Sequence, residues 1–191
     1  MTSEVEICNS ALAKVSANRI GLLTENSKGA ILCNDAYPRL RDMLLRDHLW
    51  NFNKTRKALA RLGTAPAFGW TYAYQLPGDF VRVHAVYADT SADRRLNEYE
   101  IEGQTLLTDA EYVYLVYGKT ITDPNKFDYS FREALALTLA VELSSSFLKS
   151  STKGERLAST LKDHLANSVA MDEMDDPNRQ MMITTWDACR D

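Results

Sequence analysis

The run FREALALTLAVELSSSFL, Phe131 to Leu148, decides how this chain is read. Apolar residues fall on nearly every side of the helix it encodes, and a helix of that kind is buried all round. It belongs either at the centre of its own domain or against a neighbouring subunit. Ser130 and Glu133 stand at its start with the spacing of a capping box, in which a hydroxyl and a carboxylate satisfy orphan backbone N–H groups. Its apolar stretch, Ala134 to Leu148, is shorter than a membrane span and contains Glu142 and three serines, so no membrane association is expected.

Towards the C-terminus, Thr152 and Glu155 open a further helix with a narrower apolar stripe, Leu157, Leu161, Leu165 and Val169. It runs into Asp172, Glu173, Asp175 and Asp176, whose charge opposes the helix macrodipole, and Pro177 stops it. Residues 176–191 show no clear period, yet they carry Met181, Met182, Ile183 and Trp186. Methionine adapts to irregular grooves and tryptophan often carries interface energy. The expectation is an extended tail, poorly ordered in the isolated protein, that docks on a partner.

Towards the N-terminus the period changes to two between Trp50 and Tyr117. Tyr72, Tyr74 and Leu76 alternate before a Pro77–Gly78 turn, and Val81, Val83, Ala85 and Tyr87 alternate after it. Tyr99 and Ile101 lead to a tight Glu102–Gly103 turn, and Val113, Leu115 and Tyr117 close the region. Tyrosine-rich and β-branched strands between turn residues read as an antiparallel sheet. Helical spacing governs the first 49 residues. Ser3 and Glu6 form a capping box, Val5, Cys8, Leu12 and Val15 follow as one face, and the helix is expected to end between Ala17 and Arg19. Ile20, Leu22 and Leu23 are then expected to pack on the core. A second helix spans Ser27 to Asp47 with the stripe Ala30, Cys33, Tyr37, Leu40 and Leu44. Pro38 predicts a kink there, or a break near Asp35. The expected fold is α+β. Residues 1–49 and 128–175 form an antiparallel helical bundle, residues 50–127 a β-rich insertion, and residues 176–191 the tail.

Composition narrows the function. Twenty-two basic and 26 acidic residues give a formal net charge of −4, which argues against a dedicated DNA binder. Cys8, Cys33 and Cys189 are too few and too scattered for a disulfide framework or a zinc site, so a reducing compartment fits. Met1 to Glu6 is polar and acidic, unlike a secretory signal, and an intracellular product is expected. There is no G-x-S-x-G elbow, Gly-rich phosphate loop or H-E-x-x-H. His48, His84 and His164 lie in separate segments, and His84 alternates with Arg82 on the solvent side of a strand. The acidic cluster near Asp172 lacks the calcium-loop pattern. No catalytic residue, metal or cofactor is expected.

Two features remain. Lys54, Arg56, Lys57 and Arg61 form a basic strip that faces either phosphates or an acidic partner, or is a solvated face. The rest of the chain gives it no basic support, which favours a protein contact or the solvated face. Trp50 and Phe52, just before it, read as structural anchors joining the second helix to the β insertion.

Particular stretches go further. Ile7-Cys8-Asn9-Ser10-Ala11-Leu12 looks like an ICNxAL helix, and Tyr37-Pro38, Arg41-Asp42, Leu45-Arg46 and Trp50-Asn51-Phe52 look like a YP..RD..LR..PWNF segment. His48-Leu49 stands where a proline would precede the tryptophan. Tyr72-Ala73-Tyr74-Gln75-Leu76-Pro77 with Asp79 looks like YAYxLPxD. Tyr117, Thr122-Asp123-Pro124, Phe127, Glu133-Ala134-Leu135 and Leu139-Ala140 complete the series. In these stretches, taken in order, the chain resembles the head-to-tail adaptors of short-tailed bacteriophages, the tail tubular protein A family. The tail beyond Pro177 has no counterpart in that resemblance.

The resemblance implies a virion structural protein, made in the host bacterial cytoplasm, that forms a twelve-subunit ring beneath the portal protein. Such a ring joins the portal to the tail nozzle protein and helps seat a tail fibre or spike. DNA passes transiently through its bore during genome ejection, and twelve copies of a −4 chain suit a duct where DNA slides without adhering. Helices would form the ring body and the β part would project from it. Some members of the wider group are credited with cell-wall hydrolysis. No residue here carries that over, and a glycan hydrolase is the alternative expectation.

Overall fold

The computed structural model describes residues 2–91, 94–148 and 151–174. Its class is α+β. Along the chain run α1 (Glu4–Lys14), α2 (Lys28–Asp47), β1 (Lys54–Ala58), β2 (Tyr72–Gln75), β3 (Phe80–Tyr87), β4 (Glu100–Glu102), β5 (Thr105–Thr108) and β6 (Tyr114–Lys119). A 3-10 turn at Pro124–Lys126, α3 (Tyr129–Phe147) and α4 (Ser151–Met174) follow. The chain divides into two compact units, Asn53–Thr120 and the residues on either side of it. This β unit is narrower than residues 50–127, because Trp50, Phe52 and Phe127 all pack around Phe131 in the helical unit.

In the helical unit α3 touches α1, α2 and α4. Phe131, Leu135 and Leu139 have no exposure, and every residue from Ala134 to Ala140 is buried. α1 begins with the capping box read from the sequence: the Glu6 N–H donates to Ser3 Oγ at 3.1 Å, and the Ser3 N–H to Glu6 Oε2 at 3.0 Å. It ends at Lys14, short of Ala17, and Ser16 takes the left-handed conformation at φ 58°. The chain turns early because the Asn9 side chain holds the Ile20 backbone from both sides, at 2.9 and 2.8 Å. Only Ile20 of the expected apolar turn is buried; Leu22 is 63% exposed and Leu23 half-buried.

α2 is one helix, without the break near Asp35. Pro38 removes the N–H that would reach the Asn34 carbonyl, but both residues are on the exposed face, where water can take the bond. α3 is not opened by Ser130 and Glu133. Asp128 caps it by accepting the Phe131 N–H at 2.6 Å, while Glu133 pairs with Lys14 at 2.8 Å.

The β unit contains two antiparallel sheets rather than one, ordered β1-β6-β3 and β2-β5-β4. The Pro77–Gly78 turn is therefore no hairpin: β2 pairs with β5, and β3 with β6. The Glu102–Gly103 turn does join paired strands, with Gly103 at the positive φ of 57° that glycine tolerates. Further bonds link the sheets. The segment after β1 meets β2 through an Arg61–Tyr74 bridge and bonds between Leu62 and Ala73 and between Gln75 and Ala60. The segment leading to β4 meets β3 through Tyr87–Arg95, Leu96–Val86 and Ala88–Arg94. Hydrogen bonding thus runs round the unit in the order β1, β2, β5, β4, β3, β6 and back to β1, a small closed barrel. Tyr74, Leu76, Val86, Leu106, Val113, Leu115 and Tyr117 fill it.

Two register shifts in β3 break the simple alternation. Val83 reaches the barrel core as the alternation predicts, but Phe80 and Val86 join it in place of Val81 and Tyr87, while Ala85 is buried without belonging to that cluster. His84, at the second shift, is half-buried with its Nε2 enclosed, rather than on the solvent side beside the exposed Arg82. A side chain at Gly118 would put Cβ 3.2 Å from the Asn53 amide and 3.4 Å from His84 Nε2, so only glycine fits there without displacement.

Candidate functional site

The basic strip lies on and just after β1. Arg56, Lys57 and Arg61 are exposed and Lys54 is half-buried. Lys54 and Arg82 sit opposite Gly118 from the two sides of β6, and Arg56 opposite Val116. Arg61 lies over the Tyr72 ring, 5.0 Å from its centroid. β1 escapes the period-two pattern, because Lys54-Thr55-Arg56-Lys57 gives no apolar alternation.

Trp50 has no exposure. Its indole N–H donates to the Leu44 carbonyl at 2.9 Å, and its ring meets Phe131 edge-on at 5.1 Å. Phe52 lies 5.0 Å from Phe131 and 6.0 Å from Phe127. The packing partners of this pair thus belong to the helical unit, and the nest ties the end of α2 to the start of α3. Met181, Met182, Ile183 and Trp186 lie outside the described residues.

A polar cluster that the sequence reading missed lies beside this nest. His164, Ser168 and Asp172 recur every four residues along α4 and so share one face. His164 Nε2 is 2.9 Å from the Ser130 carbonyl; that partner is an acceptor, which puts the proton on Nε2. Ser168 Oγ donates to the His164 carbonyl at 2.8 Å, so Ser130 Oγ is the donor in the Ser130–Ser168 contact. Asn51 Nδ2 donates to the Asp172 carbonyl at 2.8 Å. His48 Nε2 stands 3.4 Å from Asp172 Oδ2, long for a hydrogen bond but short for charge attraction once the imidazole is protonated. Burial holds the Asp128 carboxyl above the usual range, against the pull of the Phe131 N–H, and the Asp172 charge adds to the rise. The cluster fastens α4 to the start of α3. Its imidazole faces a carbonyl and its hydroxyls bond each other and the helix, so neither serine is presented to a base. The signal in the sequence was a polar i, i+4, i+8 series set against an apolar stripe.

Among the described residues no group of three or more His, Cys, Asp or Glu side chains could hold a metal, and no helix is long and apolar enough to cross a membrane. Cys8 and Cys33 are buried free thiols; the hydrogen bond that the Cys8 thiol donates to Cys33, together with burial, pushes the Cys8 thiol up. The β unit has a cleft of about 420 Å³ lined in part by Trp70, Glu98, Asp109, Glu111 and Tyr112. Asp109 is engaged there: the Thr71 hydroxyl and N–H donate to it at 2.7 and 2.8 Å and hold its carboxyl below the usual range.

The residues quoted for the resemblance fall at fold-holding positions. Asn9 pins Ile20, and Arg41 pairs with Asp42 at 2.8 Å. The Tyr74 hydroxyl lies 2.7 Å from the carbonyls of both Ala110 and Glu111. Asp79 accepts the Tyr117 hydroxyl at 2.9 Å; burial and this bond push that phenol up to about 12. Asp123 caps the 3-10 turn. No protein-family model matches the chain, and no curated protein matches it.

Proposed function

We propose that this protein is a phage head-to-tail adaptor, a structural subunit of a twelve-membered ring between the portal and the tail nozzle with DNA passing through the bore. The observation that carries the reading is the ordered series of family-like stretches, whose residues hold backbone and cap turns. The element order agrees with it: helices from both sides of an inserted β unit form one compact body, as a ring wall with a projecting part requires. In this reading the helices around α3 form an antiparallel bundle, and residues 176–191 are the arm that docks on the portal through Met181, Met182, Ile183 and Trp186.

Electron microscopy of the protein mixed with the portal protein of the same phage tests the assignment. An added annular layer on one face of the portal is expected; bare portals at saturating protein would contradict it. Cleavage near Arg179 and Arg190 in the free protein, with protection on the portal, would support the arm.

Glycan hydrolysis is the competing class, for which two carboxylates are needed, and Glu98 and Glu111 both line the β-unit cleft. Purified protein is expected to release nothing from peptidoglycan above a buffer control. Turnover abolished by Glu98→Gln or Glu111→Gln would replace the structural reading.

A further inference from the structure

The seam between α1 and α2 has a regular register. At one end, a Cβ at Gly29 would meet Leu12 Cδ2 at 3.4 Å. One turn along α2 and one turn back along α1, the Cys8 thiol donates to Cys33. One more turn in the same sense brings Glu4 to Tyr37, where burial and then the Glu4 charge push the phenol up. The pairs Leu12–Gly29, Cys8–Cys33 and Glu4–Tyr37 step by one helical turn in opposite directions, as side chains on the facing stripes of two antiparallel helices do. The two thiols are the middle rung, and neither has any exposure. Ala11, Gly29 and Ala30, buried nearby, are small, so little side-chain bulk holds the two backbones apart.

We propose that Cys8 and Cys33 form an oxidation site, which hydrogen peroxide closes into an intrachain disulfide stapling α1 to α2. Cysteines that are scattered in the sequence become neighbours only through the helix seam. Cys33 accepts the Cys8 S–H, which favours the Cys33 thiolate and makes it the nucleophile. Its sulfur attacks the O–O bond and becomes a sulfenic acid, and the departing oxygen leaves as water with the proton that Cys33 gave up. The Cys8 sulfur then displaces hydroxide from the sulfenic sulfur. The S–S bond forms, and the Cys8 proton joins that hydroxide as a second water. Two thiols lose two electrons in all, and one peroxide is reduced to two waters. With its partner thiol already in contact, the sulfenic acid is captured before a second peroxide reaches it. The bond closes a loop that holds the Asn9–Ile20 pin, and so constrains the unfolded chain there. The site belongs to the helical unit alone and does not depend on the ring reading.

Hydrogen peroxide treatment of the folded full-length chain carrying Cys189→Ser tests the site, with alkylation in denaturant and peptide mass spectrometry as the readout. The expected product is a peptide pair joined through Cys8 and Cys33, two hydrogens lighter than its separate halves. Dithiothreitol should return both as alkylatable thiols. The linked chain should melt above the reduced one by on the order of 5–10 °C. Thiols that both remain alkylatable after exhaustive peroxide overturn the proposal, as does sulfinic acid at either cysteine without a link. Oxidising a mixture of unlabelled and ¹⁵N-labelled protein gives a further arm. Mixed-isotope pairs would place the bond between chains and overturn the proposal, whereas pairs of a single isotope uphold it. A link that forms but lowers the melt would mean that the helices must be distorted to close it, and overturns the site as well.

Discussion

The helical unit and the β unit are built from the chain in opposite ways. The helical unit needs residues from both sides of the insertion: Trp50 and Phe52 follow α2, Phe127 and Phe131 come after the β unit, and the four rings form one nest. The β unit is a single continuous segment whose core, from Tyr74 to Tyr117, never leaves it. One body is closed by the ends of an insertion and the other is the insertion. Damage to either core should therefore be felt chiefly within its own unit.

Trp50→Ala is the strongest attempt to break this division. Removing a fully buried aromatic costs about 3–5 kcal/mol, and here it also leaves the Leu44 carbonyl without the indole N–H. Hydrogen exchange should accelerate in α2 and α3 while β6 amides keep their protection. Equal loss in both units would show that they unfold together. The reciprocal test is Leu115→Ala in the barrel core, expected to cost about 2–5 kcal/mol. Faster exchange in β3 and β6 with α3 unchanged would sharpen the division, and the reverse pattern would break it.

Smaller effects probe how polar groups secure each body. Tyr74→Phe removes the hydroxyl shared by the Ala110 and Glu111 carbonyls and should cost about 0.5–1.5 kcal/mol in denaturant melts. Asp128→Asn keeps a capping oxygen for α3 but removes a half-buried charge. Because folding raises the Asp128 pKa, its contribution is favourable below the unfolded-state value and is lost as pH rises through the folded-state value. The variant should be more stable than wild type at neutral pH, and its advantage should vanish in acid. A lower neutral-pH stability for Asp128→Asn would mean that the ionised carboxylate supports the fold.

The same contrast explains what could be read from the chain. Helical features depend on neighbours in sequence, so the Ser3–Glu6 box, the α2 span and the all-round burial of α3 were legible. Where a helix end depends on a distant partner, local reading erred: Glu133 is drawn to Lys14, leaving the cap to Asp128, and Asn9 turns the chain at Ile20. In the β unit the strands were legible as alternation, but pairing and register are non-local. Nothing near Val81 or His84 announces the shifts in β3, and β1 was hidden by its charge. The candidate sites divide likewise. The basic strip stands out as a run, whereas the His164, Ser168 and Asp172 cluster needs α3 and the end of α2 to bring Ser130 and His48 to it.

The central claim is a ring of defined size, and native mass spectrometry of the portal-bound assembly measures it directly. The account predicts twelve copies of this 21.5 kDa chain per portal. Any other number, or a portal that carries no copies at saturating protein, would contradict it.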